Sequence, residues 1–283
     1  MKKFLNMIAI LSVGTMVLTA CGTSSGTSSS SSPTNPTNET IPIPSTYGAA
    51  EGGGAYEPNI GDHAETMYFQ HPDFYTMEST DTLTLLPQFK TYQQTTEVTC
   101  GPATALMVLN HYGNTDYDEL TMAEMMDTHK DINGTNLEES GIADEQGEYG
   151  TSTANLAKFF EGIGWDVTSS LTDAGEDGYT FEDPADFKDW VLENLDNNTP
   201  IMVEWIDWLG HWQAIIGYDT MGTDTLNDDV LIMADPYDTT DHWQDGYYIV
   251  PANRFFYMWS DSDILPEDQQ IQQWVIATPP KNS

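Results

Sequence analysis

The chain has 283 residues and carries 45 acidic against 8 basic side chains, a formal net charge of −37 at pH 7. So negative a balance repels phosphate backbones and anionic lipid headgroups, which excludes nucleic-acid binding. The 8 Trp, 14 Tyr and 10 Phe supply a packed core and exclude global disorder, and two cysteines are too few for a disulfide framework.

Met1-Lys2-Lys3 is a short basic start, followed over residues 4–20 by an apolar run broken by Asn6, Ser12, Gly14, Thr15 and Thr19. That run is too short and interrupted for a membrane-spanning helix and fits a secretory signal. It ends in Leu18-Thr19-Ala20-Cys21, which resembles the lipobox of bacterial lipoproteins. The resemblance implies that residues 1–20 are removed and that Cys21 carries the lipid. The expected location is then the extracytoplasmic face of the cell membrane, with the anchor as the only membrane contact. Residues 22–44 are almost entirely Ser, Thr, Gly, Pro and Asn, and a second loose stretch contains Gly52-Gly53-Gly54. Residues 21–62 therefore read as a flexible tether, residues 22–44 spanning roughly 25–30 Å as a random coil. Residues 63–82 read as an N-terminal extension, and residues 83–279 as the folded domain.

Leu83, Leu85 and Leu86 before Pro87 read as a short strand. Ala103, Leu106, Met107, Leu109 and Asn110 recur at helical spacing, with Pro102 suited to the first turn and Gly113 to the stop. Cys100 thus falls at a helix N-terminus, where unpaired N–H groups and the macrodipole favour a thiolate. The rival reading is a small buried hydrophobe, the commonest fate of a free cysteine.

A nucleophilic thiol needs a base. His63 and His71 lie in the loose N-terminal region, His129 and His242 in polar acidic loops. His111 is three helical turns from Cys100, roughly 16 Å along the axis. His211 opens the apolar run His211-Trp212-Gln213-Ala214-Ile215-Ile216-Gly217-Tyr218-Asp219, which reads as a strand after the one at residues 200–206. It suits a base on the lip of a central strand, or a residue that merely caps one. A third strand, residues 230–234, closes in Asp235-Pro236, since proline cannot continue a central ladder. A carboxylate there, one strand over, can accept the imidazole N–H.

These pieces, with Gln94 six residues before Cys100-Gly101-Pro102-Ala103 and Gly150-Thr151-Ser152 opening a helix with Leu156 and Phe159, resemble the C39-like peptidase family of papain-like cysteine peptidases. The resemblance runs over about residues 83–277. It implies an α+β fold in which a nucleophile helix packs on an antiparallel sheet. By the same resemblance Cys100 is the nucleophile, His211 the general base and Asp235 the orienting acid. Gln94 donates its side-chain amide to the oxyanion beside the Cys100 N–H. The implied partner is a peptide or protein, handled by a monomer without cofactor. Relatives fused to export transporters trim leader peptides after a double glycine; with no transporter segment here, that specificity is not carried over.

Other classes stay open at this stage: a non-catalytic peptide- or glycan-binding lipoprotein on the same fold, or a transglutaminase-like acyl transferase. Residues 173–184 fail the EF-hand ligand pattern, with Gly at position three and Pro184 at position twelve, and no His/Cys spacing suggests zinc. Acidic stretches at residues 116–148 and 173–186 read as insertions that reshape the cleft or only solvate it. Asp183-Pro184 opens a helix to about Leu195 whose Phe187, Trp190, Val191 and Leu195 read as a core stripe. Trp205, Trp208, Trp212, Tyr237, Trp243, Tyr247 and Tyr248 read mainly as packing, with those near His211 suited to line a cleft.

Overall fold

The computed structural model describes residues 40–44, 72–128, 150–207, 210–238, 244–261, 265 and 267–281. Cys21, the signal sequence, most of the tether, His63, His71, His129, His242, Trp208 and Trp243 lie outside the described residues. Among the described residues no helix is long and apolar enough to cross a membrane.

Strand β4 (His211–Asp219) organises the domain, with every residue but the last buried. Such a run is apolar on both faces because both are covered. β3 (Ile201–Trp205) and β5 (Val230–Ala234) flank it, each antiparallel to it. β1 (Leu83–Leu85) pairs with β4 at residues 217–219, beyond the end of β3. β7 (Gln273–Thr278) lies outside β3, β2 (Asp166–Ser169) outside β7, and β6 (Tyr247–Pro251) outside β5. The sheet runs β2-β7-β3-β4-β5-β6, seven strands with β1.

A register shift between Ile215 and Gly217 marks a bulge where β5 and β1 meet β4. A Cβ on Gly217 would come within 2.7 Å of Leu85 Cδ1 and 3.1 Å of Ile232 Cδ1, so the close approach requires glycine.

Helix α1 (Cys100–His111) packs across β4, with Thr104 Oγ1 donating to the Trp212 carbonyl at 2.9 Å. Residues Cys100 through Leu109 are all buried, as expected of a helix that is apolar nearly all round. α2 (Glu119–Met125) is capped by the Asp118 carboxylate on the Thr121 N–H, and α3 (Thr153–Gly162) by the Ser152 hydroxyl on the Asn155 N–H. A short α4 (Ser170–Asp173) leads from β2 toward α5 (Pro184–Asp196). Asp183 caps α5 through the Ala185 and Asp186 N–H groups, with Pro184 in its first turn as read from the sequence. Phe187 of α5 packs on Phe255 and Phe256 of α6 (Ala252–Met258).

Three stretches read as peripheral contribute to this body. The described start of the acidic stretch 116–148 forms α2, whose Met122 is fully buried and joined in the core by Met126. Phe74, in the extension, is buried with its ring 5.7 Å from that of Tyr247. Within the tether, Ile41 donates its N–H to the Thr91 carbonyl at 2.8 Å, so residues 40–44 lie along the domain.

Candidate active site

Cys100 is the first residue of α1 and is 8% exposed. The preceding residue, Thr99, gives no side-chain cap to the helix. Its hydroxyl donates instead to Glu119 Oε1 at 2.5 Å and also meets Thr96 Oγ1 at 2.8 Å. The first-turn N–H groups, which have no intrahelical acceptor, are therefore left to act on the sulfur and on whatever it attacks.

Glu119 holds the approach to the nucleophile. Completely buried, it accepts the Tyr92 hydroxyl, the Thr95 N–H and the Thr95 hydroxyl at 2.8 Å each, besides Thr99. Burial raises its carboxyl above the ordinary range, while those hydrogen bonds work the other way. Gly101 lets α1 approach the 150–151 loop: a Cβ there would lie 2.8 Å from Thr151 Cβ and 2.9 Å from its Oγ1.

His211 opens β4 opposite Trp205 of β3. Its Nε2 lies 2.6 Å from Asp235 Oδ1, and the Cys100 sulfur is near enough to act on the ring. With Nε2 engaged by the carboxylate, Nδ1 is the nitrogen left for the sulfur. Burial favours the neutral imidazole, but the Asp235 carboxylate and then Cys100 outweigh it, so His211 is pushed up to about 10.

Asp235 follows β5 and is fixed from several sides. Its N–H donates to the Gly246 carbonyl at 2.9 Å, and Oδ1 also accepts the Tyr237 N–H at 2.7 Å. The Tyr237 ring stands edge-on to His211, centroids 6.1 Å apart. The structure thus brings Cys100, His211 and Asp235 together.

Gln94 sits beside this group but faces elsewhere. Its backbone N–H donates to the Pro236 carbonyl at 2.8 Å. Its side-chain Nε2 donates to the Thr96 carbonyl at 2.7 Å and reaches that of Glu97 at 3.4 Å, and Oε1 is buried without a hydrogen-bond partner. In this arrangement the amide serves its own loop. To reach an oxyanion it must exchange the Thr96 carbonyl for the substrate.

A narrow cleft opens beside Cys100, lined by Glu97, Val98, Gly150, Thr151, Glu204, Gly210, Trp212 and Leu265 as well. Trp212 reaches it from β4 and ties down its wall by donating Nε1 to the Thr151 carbonyl at 2.8 Å. Trp205, Tyr247 and Tyr248 are core residues, and Trp205 Nε1 and the Tyr248 hydroxyl both donate to Gln213 Oε1 at 2.8 Å. His111 lies at the far end of α1 against the Asn198 carbonyl. Among the described residues no group of three His, Cys, Asp or Glu is placed to hold a metal ion.

Glu204 and Glu119 were not singled out from the sequence. Glu204 carried a signal, being the one charged residue in the apolar run of β3. Glu119 was hidden among the acids around it.

A buried thiol at a helix start, an imidazole on the adjoining strand and a carboxylate behind it form the constellation that thiol-dependent acyl transfer requires. The chain belongs to the Peptidase_C39 like family, whose model matches residues 86–262. The α+β body has α1 packed on an antiparallel sheet, the arrangement expected from the sequence. Among solved structures, the peptidase domain of Streptococcus ComA, a bi-functional ABC transporter involved in a quorum-sensing pathway, is 18% identical. The match covers 68% of this chain and 98% of that one, with a TM-score of 0.36. A C39-like peptidase from Bacillus anthracis is 14% identical over 71% of this chain and 100% of its own, with a TM-score of 0.47. No curated protein matched the sequence.

Proposed function

We propose that this protein is a cysteine peptidase, held at the outer face of the membrane by a lipid on Cys21, that cleaves peptide bonds through Cys100, His211 and Asp235. The observation that carries the reading is the 2.6 Å contact between His211 Nε2 and Asp235 Oδ1, with Cys100 beside the same ring. Asp235 fixes the ring and favours its protonated form, so the thiol proton can reside on His211 and leave a thiolate.

The thiolate attacks the scissile carbonyl; a C–S bond forms and the oxyanion turns toward the first N–H groups of α1. His211 passes its proton to the leaving nitrogen as the C–N bond breaks, releasing the amine and leaving a thioester. Water then gives a proton to His211 and adds to the thioester, the C–S bond breaks, and the carboxylic acid departs. An amine in place of water would make the same site an acyl transferase. Product analysis with and without added amine separates the two outcomes.

The test is the rate of Cys100 alkylation by iodoacetamide from pH 4 to 9, in a Cys21→Ser background so that a single thiol reports. A thiolate–imidazolium pair reacts well below pH 7, and His211→Ala moves the profile toward an ordinary thiol at about pH 8.5. Profiles that coincide in the two proteins refute the reading.

A further inference from the structure

Glu204 stands in the wall of the cleft beside Cys100, only 2% exposed, and neither carboxyl oxygen has a hydrogen-bond partner. Leaving such a group unsatisfied is costly, and a carboxylate more so than a neutral group. Its surroundings do not relieve it. Burial, the neighbouring Asp261 carboxyl and the Cys100 sulfur hold its carboxyl well above the ordinary range, against the opposing influence of the His211 N–H. Asp261 is itself fully buried.

On the solvent side the same cleft is lined by Glu97, half-buried beside Tyr237. Among the described residues no lysine or arginine lines it, and the rest of that lining is apolar or neutral. A cleft with an unpaired buried carboxyl within, a second carboxyl at its rim and an indole along its side matches a group with an apolar stem and a positive end. Such a group supplies the hydrogen bonds that Glu204 lacks and the charge that lets it ionise.

We propose that the cleft beside Cys100 is a subsite for a cationic side chain of the substrate, an ammonium or guanidinium group, with Glu204 as its specificity-determining residue and Glu97 guarding its entrance. This rests on the peptidase reading and narrows its substrate class to peptides bearing a basic residue next to the scissile bond.

The experiment compares Cys100 modification by two thiol reagents of similar size and opposite charge, aminoethyl and sulfonatoethyl methanethiosulfonate, in the Cys21→Ser chain. Each places its charged head two methylenes from the sulfur. Rates are taken in salt of about 1 M, where the Debye length is about 3 Å and the field of the acidic surface is screened. The cationic reagent is expected to be favoured by about ten- to hundredfold, the worth of a charge-assisted hydrogen bond. Glu204→Gln collapses that ratio toward one, whereas Glu176→Gln with Asp177→Asn, both exposed, leaves it in place. Should Glu204→Gln not fold, Glu97→Gln is expected to lower the ratio by a smaller factor. A ratio near one in the wild type, or the same ratio in wild type and Glu204→Gln, overturns the subsite.

The iodoacetamide profile keeps the two ideas apart. If it depends on His211 while the charge ratio ignores Glu204, the peptidase reading stands and the subsite falls. If the ratio follows Glu204 while the profile ignores His211, the cleft binds cations without serving catalysis, and the substrate assignment falls.

Discussion

Replacing Gly101 by Ala tests whether the Cys-Gly-Pro start of α1 is dictated by packing against the 150–151 loop. The added Cβ would sit 2.8 Å from Thr151 Cβ, 2.9 Å from Oγ1 and 3.3 Å from Cγ2. Thr151 cannot simply turn away: its hydroxyl meets that of Thr128 at 2.8 Å, and its carbonyl accepts from Trp212 Nε1. Overpacking of this kind costs about 1–3 kcal/mol. Higher helix propensity returns at most about 1 kcal/mol, and less in a first turn. A net loss of about 1–2 kcal/mol lowers Tm by roughly 2–8 °C for a domain of this size. Gly162→Ala is the control, because that glycine is exposed at the end of α3 with nothing within 4 Å of a Cβ. It should raise Tm by a few degrees at most, from about 0.4–1 kcal/mol. Thermal unfolding by circular dichroism measures both. A Gly101→Ala chain as stable as the wild type would show that the 150–151 loop yields freely, and the packing argument would be wrong.

Glu119→Ala strands four donors in the wall that precedes Cys100 and should cost about 3 kcal/mol or more in urea unfolding. Glu119→Gln should cost less than half of that, since the Tyr92 and Thr95 hydroxyls can rotate to accept from the new amide; equal losses would contradict this account. In a Cys100→Ala chain, where no thiol gives up a proton to the ring, stability should also fall as pH rises from 5.5 to 9. His211, raised from 6.5 to about 10, keeps in the folded state a proton that the unfolded chain gives up, so its contribution is complete below about pH 6.5 and is lost on the way to about 10. Glu119 and Glu204, also raised, add the same sign, their contributions being complete only below about pH 4.5. Each retained proton changes stability by about 1.4 kcal/mol per pH unit. In that background the Tm of a further His211→Ala variant should therefore fall less steeply over this range, and a Cys100→Ala Tm that is flat or rising would refute the assignment.

Cys100, His211 and Asp235 were legible because each stands where an apolar run begins or ends. Cys100 opens a helix, His211 opens a strand and Asp235 closes one before a proline. Antiparallel pairing of β4 with β5 sets Ala214 opposite Ala234, so the start of one strand and the end of its neighbour necessarily meet. β2 was not legible: its Asp-Val-Thr-Ser sequence is mostly exposed, and pairing with β7 rather than an apolar face makes it a strand. α2 was masked by composition, since Asp118 and Glu119 look like solvating acids until one caps the helix and the other is buried. Gln94 shows a different limit. Its position six residues before Cys100 places it near the site, but which carbonyl its amide faces depends on the 94–97 turn.

The −37 charge does not act as one field, because acids inside the fold differ from those on its surface in what satisfies them. Asp229 accepts the Tyr218 hydroxyl, Asp238 the Gly246 N–H, Asp245 the Tyr247 N–H and Asp235 the His211 ring. These carboxylates spend their charge on turns and strand ends of the protein's own backbone and side chains. Exposed acids act at a distance and lose their reach as salt shortens the Debye length. Glu204 fits neither description: it is buried like the first set, yet its oxygens accept no hydrogen bond. A bare count of acidic residues predicts attraction to cations that fades with salt. A buried, unpaired carboxyl beside the candidate nucleophile predicts a preference that survives salt and depends on one side chain, which is why selectivity here belongs to Glu204 rather than to the surface.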